Sequence, residues 1–550
     1  MSQVKKSGLD KNNKYDRQLR LWGDHGQAAL EQARVCLINA SATGTEILKN
    51  LILPGIGAFT IVDGHKITGE DVGNNFFLDK DSIGKSRAQV AMTNLQELNE
   101  DVSGDFVEES VEQLLEKLDN PDFFLTFSCV IATDLAEKTL LSLANYLWDH
   151  NIPLLVCRSY GMIGYLRLAV KEHTVIESHP DSAFEDLRLD RPFPGLVDYC
   201  CSQNLESMSK KDHSHTPWLV ILYQYLNKWK NEHGGRAPQN YREKTAFKEL
   251  LHNGKLRNEY GVEEEEENWD EAIKAVNTAL VSTKIPDEVK QVFNDESCSN
   301  IHPDSSPFWI VARAIKEFVE KEGEGALPLR GSIPDMTADS ERYVQLQGVY
   351  RCQAAQEAAI VTDKVHHILL RIGKDFQSTD STLTIPLDQI SENYIKMFCK
   401  NAAFLRVVRC RPLSEEHNPQ LAKVADIAMH LEDCENSDGI FYVLMRGVDR
   451  FHVEYNRYPG YYEDQVETDV SNLKSCVYKV LQEWGLPPNI KDDYIHEICR
   501  YGASELHSVA AFIGGVAAQE VIKIVTEQFI PIKNTFIYNA MKQTSCTLDL

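Results

Sequence analysis

The chain lacks the marks of several broad protein classes. No C-x-x-C spacing occurs among its 13 cysteines, so it offers neither a thioredoxin-type dithiol nor the usual half of a structural zinc site. The cysteines are scattered and odd in number. Cys200 and Cys201 are neighbours, which suits neither a disulfide framework nor a metal cluster, so no metal is expected and reduced thiols in cytosol or nucleus are. Positive charge is scarce: 57 Lys and Arg against 82 Asp and Glu give a net charge of −25, a poor match to a phosphate backbone, and no nucleic-acid partner is expected. The polar, Lys-rich start Met1–Lys14 has no apolar core, so no secretory signal is expected. The most apolar stretch, 509–518, reads as too short to cross a bilayer, so the chain is not expected to be a transmembrane protein. The acidic run Glu263–Glu267 reads as a solvated loop or helix face.

What is present begins with size. A chain of 550 residues is too long for one hydrophobic core, and roughly two to four units are expected. In the first third, short apolar runs alternate with amphipathic stretches. Residues 34–40, 58–63, 127–132 and 153–157 read as buried strands, and 45–53 and 136–150 as helices. That alternation predicts an α/β, doubly wound, mostly parallel Rossmann-like sheet. In such a fold the first strand-to-helix turn holds phosphates, with glycines admitting the ligand and helix N–H groups binding it. Here the turn is Asn39-Ala40-Ser41-Ala42-Thr43-Gly44, and of the G-x-G-x-x-G glycines only Gly44 remains. Asp63 stands about twenty residues on, at the position of a ribose-binding acid, although an acid before Gly64 is also an ordinary turn former.

From about Lys171 to about Lys491 helices dominate. Thr216-Pro217 and Ser306-Pro307 read as helix starts with Pro at the first helical position, and a long helix runs from Ala338 towards Gly373. The apolar stripes that follow are core faces. The expected organisation is therefore 1–170, a first part of the Rossmann-like domain; 171–490, a large helical insertion; and 491–550, its last part.

Four strings carry a resemblance: Lys14-Tyr-Asp-Arg-Gln-Leu-Arg-Leu-Trp-Gly23, Pro54-Gly-Ile-Gly-Ala-Phe-Thr-Ile-Val-Asp63, Ser82-Ile-Gly-Lys-Ser-Arg-Ala88 and Ala510-Ala-Phe-Ile-Gly-Gly-Val-Ala-Ala-Gln-Glu520. In this order they resemble the adenylating domain of ubiquitin-like-protein-activating enzymes and their bacterial sulfur-carrier-activating relatives, the ThiF/MoeB-like family. That family pairs two related halves, one binding ATP and the other having lost the chemistry. The chain resembles the second kind. Asp71-Val-Gly-Asn-Asn-Phe76 stands where the active half has N-L-N-R-Q-F, so Asn74 replaces a phosphate-holding arginine. Gly44, Asp63, Lys85 and Asp134 are then degenerate remnants of a nucleotide site. The resemblance implies that ATP and magnesium are bound by the catalytic partner and that this chain alone binds no cofactor.

The resemblance also assigns Arg17, in the Y-x-R-Q string, to the ATP phosphates of the partner half, a role needing a fixed positive charge and fork geometry. The alternative for Arg17 and Arg20 is a surface salt bridge. No thioester cysteine is expected. The one Cys-Thr pair, Cys546-Thr547, has no flanking proline and lies outside the helical insertion, and Cys298, Cys399 and Cys410 lack the motif. No ubiquitin-like C-terminal domain is expected after the strand at 535–538. The length of the insertion, which resembles a catalytic-cysteine domain without its cysteine, points to the neddylation branch rather than the SUMO branch. The partners implied are the catalytic half of that activating enzyme and the Nedd ubiquitin-like modifier. His213, His215, Ile333, Pro334, Asp335, Met336 and Tyr343 are expected to face the catalytic half, although the histidines read equally as capping and solvation. Two other readings stand beside this one: an independent nucleotide-binding enzyme such as a dehydrogenase, and a pseudo-enzyme adaptor for signalling proteins or receptor tails. The latter admits the amyloid precursor protein tail as partner and a peripheral membrane location through it.

Overall fold

The computed structural model describes residues 8–116, 123–180, 185–373, 390–433 and 437–550, so Met1–Ser7 of the polar start lie outside the described residues. The chain forms two compact units, Met1–Val175 with Val407–Leu550, and Ile176–Arg406.

The first unit is built on a sheet. Its strands are β1 (Arg34–Ile38), β2 (Ala58–Val62), β3 (Ser103–Val107), β4 (Cys129–Thr133), β5 (Leu154–Tyr160) and β6 (Ile163–Ala169). After β7 (His173–Val175) and β8 (Arg406–Val408), which form a separate two-stranded ladder, come β9 (Thr535–Asn539) and β10 (Thr544–Leu548). The eight-stranded sheet has the order β10-β9-β6-β5-β4-β1-β2-β3. From β3 to β5 every pairing is parallel, and β6, β9 and β10 extend it antiparallel. This is the expected doubly wound sheet with an antiparallel extension.

Alternation along the strands explains the two covered faces. Val35 and Leu37 enter one core with Ile47, Leu51, Phe59 and Ile61, while Cys36 and Ile38 enter the other with Val130, Ala132, Leu143 and Leu147. A sheet buried on both faces needs apolar residues at consecutive positions, which is why β1 reads as an unbroken run.

The helix His507–Thr526 covers the first of these faces. At 20 residues it is longer than the 509–518 run suggested, and by length and composition it could cross a membrane. Its small and apolar residues Val509, Ile513, Ala517 and Val521 are instead in the sheet core, packed with the helix Ala42–Ile52.

The second boundary falls elsewhere than expected. The helical run was expected to end at Lys491, but the chain rejoins the first unit at Val407. The physical reason is a third core: helices Ile440–Tyr455 and Val466–Glu483 bury Val443, Leu444, Leu473 and Val477 with Tyr160, Ile163, Ile537 and Leu548 of the sheet. Helical periodicity marks a buried face without saying which partner buries it. Arg167 of β6 adds a fully buried ion pair to Glu416 at 2.6 Å, whose other oxygen accepts from the Tyr442 hydroxyl at 2.8 Å.

The unit Ile176–Arg406 is helical. Its core gathers Leu219, Leu222, Leu226, Phe247, Trp269, Val276, Leu346 and Tyr350. The helix Pro307–Glu320 starts with Pro at its first turn, as its sequence predicts. At the other site the helix begins at Trp218 with Pro217 as cap, and the Thr216 hydroxyl donates back to the Asp212 carbonyl at 2.8 Å instead of capping. The long helix spans Ser340–Arg371.

Gly514 tests the close packing of His507–Thr526. A Cβ there would lie 2.8 Å from Glu46 Cβ and 2.9 Å from the Glu46 carbonyl carbon, whereas one at Gly515 would meet nothing within 4 Å. Gly514→Val should lower stability by about 1–3 kcal/mol in urea unfolding. Gly515→Ala should leave it unchanged or raise it by about 0.5–1 kcal/mol.

Candidate functional site

The sheet order reverses between β1 and β4, the place where open α/β folds bind ligands. The turn after β1 therefore marks the site, and its own side chains fill it. Asn39 adopts a positive φ of 65° and turns its amide back across the strand ends, donating to the carbonyls of Thr133 and Asp134, each at 3.0 Å. Asparagine tolerates this left-handed conformation better than most residues. Ser41 caps the helix Ala42–Ile52, accepting from the Gly44 N–H at 3.2 Å.

Gly44, the surviving glycine, serves packing. A Cβ there would lie 2.8 Å from the Asn39 carbonyl oxygen and 2.9 Å from a Leu37 methyl.

Asp63 is fully buried, and its carboxylate is fully committed. One oxygen accepts from the Ala40 N–H at 2.8 Å and from Arg87 Nε at 2.6 Å. The other accepts from the His65 backbone N–H at 2.9 Å and meets its Nδ1 at 2.8 Å. Burial pushes this carboxyl up, but the His65 hydrogen bond and the Arg87 guanidinium more than reverse that and hold it at about 2. The same bond to Asp63 raises His65. Arg87 continues to Asp71 at 3.0 Å. Asn75 completes the turn by donating to the Ala40 carbonyl at 3.1 Å.

The remaining remnants differ. Lys85 is exposed. Asp134, also exposed and at positive φ, accepts from the Tyr458 hydroxyl at 2.9 Å.

Two residues at the heart of the site were missed. Arg87 lies within a string already singled out, and a cation two dozen positions from a strand-end acid was the available sign. Glu505 gave none. It approaches from the far end of the chain, and its carboxylate accepts from the N–H groups of Ala42 at 2.8 Å and Thr43 at 3.3 Å and from the Thr43 hydroxyl at 2.5 Å. Burial raises this carboxyl above the usual range, against the lowering effect of those donors.

Arg17 stands apart from this turn. The helix carrying it, Gly8–Gln32, is pinned to the sheet by Tyr15, by Lys14 to Asn99 at 2.6 Å and by Gln18 to the Pro54 carbonyl at 2.7 Å. Asp16 takes Arg20 at 2.9 Å, and Arg17 reaches it only at 4.0 Å with its side chain 89% exposed.

In the helical unit the two expected interface segments are brought together. The Asp339 N–H donates to the His215 carbonyl at 2.8 Å, and Arg342 grips Asp212 at 3.0 Å. His215 and Asp335 are exposed, and Pro334 and Tyr343 are half-buried. His213, Ile333 and Met336 are buried within this chain. His213 is not a solvated cap: its Nδ1 lies 2.6 Å from Glu266 and its ring stacks on Trp269 at 5.0 Å.

Four cysteines weighed in the sequence have disfavoured thiolates. Burial pushes Cys546 and Cys399 up to about 12 and Cys298 to about 11, and raises Cys410, the reverse of what a thiolate needs. Among the described residues no cluster of His, Cys, Asp and Glu could hold a metal.

The geometry is that of a doubly wound sheet with a filled turn at its switch point and a helical unit inserted in the chain after β7. The chain belongs to the ThiF family, whose pattern matches residues 15–549. It is 57% identical over 540 residues to the NEDD8-activating enzyme E1 regulatory subunit of Xenopus laevis, covering 98% of this chain and 99% of that protein. The subunit of the same name from Danio rerio is also 57% identical over 540 residues, with the same coverage. That from Gallus gallus is 54% identical over 550 residues, 100% of each chain.

Asp63 makes the pH dependence of the unit testable. Its depressed pKa contributes stability that is complete above the ordinary value of about 3.9 and lost as pH falls through about 2. Arg87→Ala should lower stability by about 3–5 kcal/mol at neutral pH, because it leaves a buried carboxylate without its cation. Urea midpoints measured against pH should show the acid loss beginning at higher pH in the variant.

Proposed function

We propose that this chain is the regulatory, non-catalytic half of a heterodimeric NEDD8-activating enzyme. The catalytic partner would bind ATP and magnesium, adenylate the C-terminus of the modifier and carry the thioester. This chain would complete the dimer, form part of the modifier groove and supply Arg17 to the partner's ATP. The full-length likeness to regulatory subunits supports the reading.

The observation that carries it is a contrast within one unit. The turn that would hold this chain's own nucleotide is filled by Asn39 and Asp63, while Arg17 is exposed on a pinned helix with only a 4.0 Å contact to Asp16. A guanidinium tied only by a long, exposed ion pair is accessible to the charge of a polyphosphate. The exposed and half-buried members of the interface set, His215, Pro334, Asp335 and Tyr343, are the candidates for contact with the partner. The described cysteines are all free, which suits a reducing compartment such as cytosol or nucleus.

ATP–pyrophosphate exchange driven by NEDD8 tests the reading. Exchange should require the mixture of this chain with a catalytic subunit, and Arg17→Ala should reduce it on the order of a hundredfold with the dimer intact. Full exchange by the catalytic subunit alone would reduce this chain to an adaptor.

A further inference from the structure

The first turn of the helix Ala42–Ile52 should offer four backbone N–H groups with no partner inside the helix, and in a nucleotide fold a phosphate takes them. Here those of Ala42, Thr43 and Gly44 each have a partner from the chain. Gly44 donates to the Ser41 hydroxyl at 3.2 Å, and the regular helix bonds begin with Thr45 to the Ser41 carbonyl at 3.0 Å. Ala42 and Thr43 donate to the two oxygens of Glu505, at 2.8 and 3.3 Å, and the Thr43 hydroxyl reinforces the second contact at 2.5 Å. The N–H just before the turn, that of Ala40, is held by Asp63. An anion is seated at the helix N-terminus, and it is a side chain.

Glu505 is delivered by a constrained strap. Gly502 and Ala503 both take positive φ, 54° and 63°, turning the chain sharply after the helix Asp492–Tyr501. The Ser504 N–H closes back on the Tyr501 carbonyl at 2.8 Å, and its carbonyl accepts from the Gly161 N–H at 2.7 Å. A non-glycine residue in the left-handed region persists where its surroundings hold it there. The strap therefore presents the carboxylate in a fixed position rather than as a wandering surface acid.

We propose that Glu505 is the specificity-determining residue that bars nucleotide phosphate from this chain, its carboxylate acting as a tethered substitute for the anion at Ala42 and Thr43. The loss of turn glycines narrows the site, but Glu505 takes the donors and sets a like charge against any polyphosphate. Asp134 lies close enough for its charge to be felt at Glu505 and adds to that repulsion. In a dimer of related halves, this contact decides which half is left free to hold ATP. The proposal rests on the reading of this chain as the nucleotide-free half.

The test uses the isolated full chain, with inorganic pyrophosphate and a non-hydrolysable ATP analogue as probes, followed by thermal shift and titration calorimetry. The wild-type chain should show no stabilisation by either. Glu505→Gln removes the charge while filling the same space, and Glu505→Ala vacates the seat. Pyrophosphate affinity should rise from wild type through Glu505→Gln to Glu505→Ala, with a gain on the order of tenfold or more for the last. Folded variants, with unchanged far-UV circular dichroism, that bind pyrophosphate no better than wild type would overturn the proposal. So would a wild-type chain that already binds it as tightly as the variants. Glu505→Gln keeps the test decisive where the alanine chain fails to fold. This readout needs no partner subunit, so its failure is distinguishable from a failure of exchange in the heterodimer.

Discussion

A carboxylate with no exposure to water must be paired, and the first unit is organised around one. Asp63 lies at the end of β2, buried to 0%, and it draws in Arg87, His65 and the Ala40 N–H. Each of those partners fixes something else. Ala40 sets the path of the turn after β1, and Arg87 ties down Asp71 and with it the segment before Asn74 and Asn75. In a nucleotide-binding relative of this architecture an acid at this position faces a ligand. Here it faces the protein, and the switch point of the sheet becomes a structural node.

The same logic extends to the helix N-terminus. Unpaired N–H groups and a helix dipole are costly to leave facing a cavity, so the N–H groups of such a turn need acceptors. Ser41 and Glu505 provide them. The result is a unit that keeps the sheet, the crossover helices and Gly44 at its packing position while its phosphate turn is filled from within.

The helical unit follows a different rule. Its core is apolar and ordinary, and its polar features tie segments together. The buried His213–Glu266 contact ties the segment before Trp218 to the start of the helix Glu267–Ala279, and the Arg342–Asp212 pair ties it to the helix Ser340–Arg371. The arrangement leaves His215 and Asp335 exposed on a surface whose backbone is held by buried neighbours. Exposed and buried residues are adjacent in sequence within these segments, and only burial in the fold separates them.

Much of the chain was legible before any coordinates. Residues 34–40 and 58–63 read as strands because a sheet covered on both faces demands apolar runs, and Asn39–Gly44 read as a broken phosphate turn because only glycine lets a phosphate approach so closely. Local patterns carry that information, and so does the motif string around Arg17. Local patterns could not show that Val407–Lys491 returns to the sheet, since an amphipathic helix looks the same whichever core it enters. Nor could they show that His213 is buried, since Glu266 and Trp269 reach it only through the fold. Glu505 is the clearest case. A carboxylate more than four hundred residues from the turn it fills carries no sign of that role in its neighbours. The sequence by itself determined which elements form and that the nucleotide turn has lost its glycines. Only the tertiary structure decided which acceptors meet the donors of that turn, because pairing a buried donor is a matter of distance in space and not of distance along the chain.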